Sequence, residues 1–142
     1  MNWRRYILAL TVTSVATLVT DVLLNAVVFR EVYIQAASFL LPPDQLNARI
    51  PLGWAALLVI IATFGLLFAI ERWQGIRDGL RFGALLGVAG IAGVAGLASV
   101  FAWPVPLLVA VSVQQVANGL LLGVVFGLLY RPNAITISAA AD

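Results

Sequence analysis

An aspartate and an asparagine stand one helical turn apart in TDVLLNAVVF, residues 20–29, inside an otherwise apolar run. A carboxylate in such a place can exchange a proton, bind a cation or accept hydrogen bonds from amide groups. A second polar group of the same spacing lies near the other end of the chain, where Gln114 and Asn118 interrupt VSVQQVANGL. In both helices an i, i+4 pair projects from one face. At 1.5 Å per residue, Asp21 lies roughly 22 Å along its helix from Tyr6, and Gln114 roughly 24 Å along its own from Tyr130. The two faces can therefore meet at one level. Thr17 matches Asn118 by the same count, Asn25 lies one turn beyond Asp21, and Gln115 is close by. The six residues Thr17, Asp21, Asn25, Gln114, Gln115 and Asn118 form the candidate binding cluster.

Two roles are open to that cluster. The amides can tie two helices together around a structural carboxylate, or Asp21 can be a protonatable site that couples proton or cation binding to a substrate or a conformational change. A carboxylate at mid-bilayer is disfavoured by about 2.5 to 3.5 kcal/mol, less nearer the interface, so amide partners or water are expected in either case.

The elements that position these residues follow from composition. Of the 142 residues, 63% are hydrophobic and 10% charged, and the mean hydropathy is +1.06. That is too apolar for an ordinary soluble domain. The apolar runs count out as four spans of the length a bilayer needs, at about 6–29, 52–70, 80–101 and 107–130. The expectation is an all-α integral membrane protein, a single four-transmembrane-helix bundle. Residues 30–50, punctuated by Pro42-Pro43, read as an interfacial connection with one short helix or turn before the prolines. Gly75 suits a helix C-cap, and Asp78 the first turn of the next helix. The tail NAITISAAAD reads as disordered.

Orientation follows from arginine. Arg4, Arg5, Arg72, Arg77, Arg81 and Arg131 fall on one side, Arg30 and Arg49 on the other. The positive-inside rule then puts both termini in the cytoplasm; the expected setting is the inner (plasma) membrane of a bacterium, as a multi-pass protein. Trp3, Trp54, Trp73 and Trp103 land at span ends, where amphipathic rings prefer the interface. The start MNWRRYILALTVTSVA has signal-peptide features, but the apolar run continues far enough past Ala16 to make a full span.

The third span carries Gly79, Gly83, Gly87, Gly90, Gly93 and Gly96, and the fourth Gly119, Gly123 and Gly127. Small residues at such spacing let helix backbones approach closely. The expectation is that these two helices pack together within one chain, with a homo-oligomer or partner face as the alternative.

The chain has no Cys and no His. That excludes thiolate nucleophiles, disulfides and His or Cys metal sites, and no cofactor is expected. With no nucleophile and base pair, no phosphate loop and no paired carboxylates, an enzyme is not expected. A net charge of +2 from a few span-flanking arginines argues against nucleic acid. The bilayer is the expected partner, with a homo-oligomer or larger membrane complex beyond it. Size, layout and an acid in the first helix look superficially like the small multidrug-resistance transporters. Those are shorter, with a Glu in the first span and little in the loops, whereas here the acid, Asp21, lies further along its helix and the first loop has about twenty residues, so no residue is carried over. The functional expectation is an accessory or assembly subunit. The alternative is a small proton- or cation-coupled transporter with Asp21 as its protonatable site, which would need to dimerise for want of interior volume.

Overall fold

The computed structural model describes residues 1–71 and 73–131; Arg72 and the tail NAITISAAAD lie outside the described residues. All the regular elements among them are helical. The order is α1 (Trp3–Leu23) running into a π-helical segment (Leu24–Val28), a short α2 (Arg30–Gln35), a 3-10 turn (Ala37–Phe39), α3 (Pro43–Ile70), α4 (Gly75–Ala98) and α5 (Val105–Leu129). Four of these helices are long and apolar enough to cross a membrane, α1 doing so together with its π segment.

Helix α3 departs from the expected boundary. It begins at Pro43, not near Leu52. The first position of a helix has no use for an amide hydrogen, and the proline ring presets the helical φ, so Pro43 opens a helix instead of blocking one. Three consequences follow. Arg49 lies inside a helix instead of in a loop; Trp54 is three turns in and not at an end; and Pro51, inside the helix, leaves the Asn47 carbonyl without its usual donor. Gly75 also differs from expectation. It has the left-handed φ of 76°, but it stands at the start of α4, while α3 is capped at Glu71. Asp78 supports that start by accepting the Gln74 amide hydrogen at 3.2 Å.

Helices α4 and α5 pair most closely. A Cβ added at Gly79 would collide with the Gly123 carbonyl, one at Gly123 with the Gly79 carbonyl, and one at Gly83 would sit 2.5 Å from the Gly119 carbonyl oxygen. The contact continues from Gly127 to Gly75, from Gly87 to Val116 and from Gly90 to Gln115. It stops there. Gly93 and Gly96 have nothing within 4 Å of an added Cβ among the described residues, so the six glycines from Gly79 to Gly96 do not share one packed side. At about 100° per residue the change from four-residue to three-residue spacing turns Gly96 roughly 180° away from Gly87.

The end of the bundle that carries Trp3, Ile70 and Tyr130 is closed by aromatic rings. Phe68 is fully buried and lies edge-on to Phe82 at 5.5 Å, Trp73 at 5.9 Å, Phe126 at 6.0 Å and Tyr130 at 6.4 Å. Such edge-to-face pairs add about 0.5 to 1.5 kcal/mol each beyond the area they bury. Tyr6 ties α1 to the same end, its hydroxyl donating to the Ala62 carbonyl at 2.8 Å. Toward the opposite end α3 parts from its neighbours, and none of its described residues before Ile61 is buried. The space left there is where the polar cluster lies.

Candidate functional site: a polar cleft between the helices

Helix α5 presents Gln114 and Asn118 to α1 on successive turns of one face. Both amides reach the same atom: Gln114 Nε2 donates to Asp21 Oδ1 at 2.7 Å, and Asn118 Nδ2 donates to it at 3.0 Å. Hydrogen bonds to an ionised acceptor are short and about twice as strong as neutral ones. One turn along α1, Thr17 is 1% exposed and its hydroxyl has no partner among the described residues. Asn25 Oδ1 and Asn118 Oδ1 are likewise buried without a partner among them. Asn25 belongs to the π segment, where Phe29 N–H reaches back to the Leu24 carbonyl at 2.7 Å. Wide turns of this kind recur at functional sites.

These atoms line a cleft of about 880 Å³. One wall is α3, contributing Arg49, Trp54, Leu57 and Ile61; the other is α1, α4 and α5, contributing Thr17, Asp21, Asn25, Gln114, Gln115 and Asn118 among apolar side chains. The volume falls within the range of sites that hold small organic molecules, about 300 to 1,000 Å³, and a largely apolar lining with a few convergent polar groups is their usual character. A single chain thus has an open cleft of this size between its helices.

All six residues of the sequence-derived cluster line this cleft. Of the nine glycines singled out in the third and fourth spans, seven lie in the α4–α5 contact, two of them, Gly90 and Gly119, also lining the cleft, while Gly93 and Gly96 lie in neither. Gln115 has a double position, since its Cβ would stand 2.7 Å from a methyl group at Gly90.

Sequence reasoning missed three residues. Arg49 and Trp54 line the cleft because α3 starts early enough to carry them there. Tyr33, on α2 and outside the four long helices, is pushed above the ordinary tyrosine range first by burial and second by the negative charge of Asp21. The second cause places α2 within the electrostatic reach of the cluster. The run of apolar residues that includes Tyr33 gave no periodic signal for this.

Among the described residues, the ion pairs are Arg30 with Glu31 at 3.4 Å and Arg81 with Asp78 at 3.9 Å, both exposed. Neither Asp21 nor Arg49 belongs to one, and no group of three or more His, Cys, Asp or Glu side chains is placed to hold a metal ion. Comparison of the chain with protein-family models, with curated proteins and with solved structures finds no match.

Proposed function

We propose that the chain is a non-enzymatic integral membrane protein of the transporter class, working by proton or cation coupling with Asp21 as the coupling group. The observation that carries this reading is a carboxylate on the wall of a large, mostly apolar cleft between helices. Interhelical hydrogen bonds in membranes contribute on average about 0.6 kcal/mol each and about twice that to an ionised acceptor, so the Gln114 and Asn118 bonds supply about 2.4 kcal/mol, close to the roughly 2.5 to 3.5 kcal/mol that a carboxylate costs at a span centre. The carboxylate is thus held at nearly balanced cost beside the cleft that it lines, as a group that exchanges a proton or cation requires. In this reading the membrane is the inner membrane of a bacterium, both termini are cytoplasmic, and the cleft faces the outer half of the bilayer.

The test is proton flux in proteoliposomes under an imposed pH gradient. The wild-type protein is expected to dissipate the gradient and Asp21→Asn to leave it standing; equal rates in the two would sink the coupling role.

An accessory or assembly role keeps one specific support, the open strip around Gly93 and Gly96, small residues with nothing within 4 Å of an added Cβ among the described residues, where a foreign helix could approach closely. Purification from the native membrane in mild detergent separates the readings. Stoichiometric foreign subunits would favour the accessory role, and a particle made only of copies of this chain would favour transport.

A further inference from the structure

The cleft has more polar structure than a coupling carboxylate requires, and its parts have a consistent chemistry. Of the buried side-chain atoms without a partner among the described residues, three belong to residues that line the cleft on its α1 and α5 side, Thr17 Oγ1, Asn25 Oδ1 and Asn118 Oδ1, two pure acceptors and one hydroxyl; Thr17 and Asn25 flank Asp21 by one turn each on its helix, and Asn118 is one of the two N–H donors to Asp21 Oδ1. An unpaired buried acceptor costs roughly 1 to 3 kcal/mol, so this side calls for a partner rich in donors and positive in charge. A primary ammonium, with three N–H donors and one charge, meets both needs. Across the cleft, Arg49 offers a guanidinium suited to two-point binding of a phosphate or carboxylate. The Tyr6 hydroxyl bonded to the Ala62 carbonyl sets α1 against α3; counted from there at 1.5 Å per residue, Asp21 lies roughly 22 Å along α1 and Arg49 roughly 20 Å along α3 toward the same end, so the two charges stand at about the same level. The rest of the wall, including Leu57, Ile60, Leu86 and Leu122, is hydrocarbon.

We propose that this cleft binds a zwitterionic lipid with a primary ammonium headgroup, its ammonium at Asp21, Asn25, Asn118 and Thr17, its anionic group at Arg49, and its chain along the apolar wall. Charge balance selects the class. One fixed charge of each sign suits a ligand of no net charge with separated poles, whereas a simple anionic lipid leaves Asp21 opposed and a simple cation leaves Arg49 unused. A quaternary headgroup has no N–H to give the waiting acceptors. The proposal rests on the cleft being a binding site within a membrane and does not depend on transport, which the flux assay reads separately.

The experiment is titration of the purified full-length protein in mild detergent, followed by native mass spectrometry and calorimetry. The probes are a single-chain phospholipid with a primary ammonium headgroup, its N-trimethyl counterpart, the same headgroup without its chain, a single-chain anionic lipid, and sodium chloride. The primary ammonium lipid is expected to bind at least tenfold more tightly than any other probe. Arg49→Gln and Asp21→Asn should each weaken it tenfold or more, and Thr17→Val severalfold. Arg49 is exposed and outside any ion pair among the described residues, so its variant keeps the test open if Asp21→Asn fails to fold. Equal binding of the N-trimethyl lipid would overturn the donor argument, equal binding of the chainless headgroup the lipid assignment, and indifference to Arg49→Gln the two-pole arrangement. Sodium binding that excludes the lipid would replace the proposal with a cation site.

Discussion

Gln114 Nε2 lies 2.7 Å from Asp21 Oδ1, joining residues 93 positions apart in sequence. That bond and its neighbour from Asn118 hold α1 against α5 at the level of the cleft. Gln114→Leu keeps the bulk of the side chain and removes the donor. It is expected to destabilise the protein by about 0.6 to 1.7 kcal/mol, the span measured for intramembrane hydrogen bonds, as read by denaturant unfolding in mixed micelles. A loss well beyond that range would show that the Asp21 charge is held by these bonds and not by an occupant of the cleft.

The α4–α5 contact predicts a contrast between glycines. Gly123→Val places methyl groups against the Gly79 and Gly83 backbones, which cannot move aside as a flexible side chain would. The cost should exceed the roughly 1 to 3 kcal/mol typical of core overpacking. Gly96→Val meets open space and should alter stability by less than about 0.5 kcal/mol, the usual size of a surface change. Thermal unfolding of the two variants side by side checks both.

Phe68 touches four other rings and is fully buried. Phe68→Ala should cost about 3 to 5 kcal/mol, and because the ring joins α3 to α5 the loss should appear as release of α3. Protease sensitivity of α3 in detergent would report it, and unchanged protection would contradict the anchoring role.

Burial first, and the nearby Asp21 carboxylate second, push the Tyr33 hydroxyl above the ordinary tyrosine value. A raised value for an acid that is neutral when protonated means that folding favours the neutral form. The stabilisation is therefore complete below the ordinary tyrosine range and is lost as pH rises through the raised value, above about 10. Asp21→Asn should lower the Tyr33 midpoint while leaving it above the ordinary value, since burial, the larger cause, persists. Ultraviolet titration of tyrosinate in a Tyr6→Phe, Tyr130→Phe background checks it. No change on Asp21→Asn would mean that Asp21 carries no charge at the pH of titration.

Helix number and the meeting of Asp21 with Gln114 and Asn118 were legible in the sequence, because hydrophobic run length sets span count and an i, i+4 pair fixes a face. Counting residues along two antiparallel helices then fixes depth. Arg49 and Trp54 were not legible as cleft residues. Pro42-Pro43 reads as a breaker, and only the backbone shows that Pro43 occupies the one helical position where proline is favourable. Gly93 and Gly96 looked like a continuation of the series at Gly79, Gly83 and Gly87, but three-residue steps turn them out of the contact. Tyr33 was hidden for a different reason: its relation to Asp21 acts through space between segments with no shared pattern.

The arrest of α3 at one end has a mechanical meaning. With its buried residues confined to Ile61 and beyond, α3 is a cantilever clamped near Phe68 and unsupported along the stretch that carries Arg49 and Trp54. From Phe68 to Pro43 the arm measures roughly 37 Å at 1.5 Å per residue, so a tilt of about 5° at the clamp swings its tip by about 3 Å. The α4–α5 pair, locked backbone to backbone, offers no such give. Any change in the width of the cleft is thus an angular motion of one helix against a fixed frame, and the aromatic rings set its stiffness.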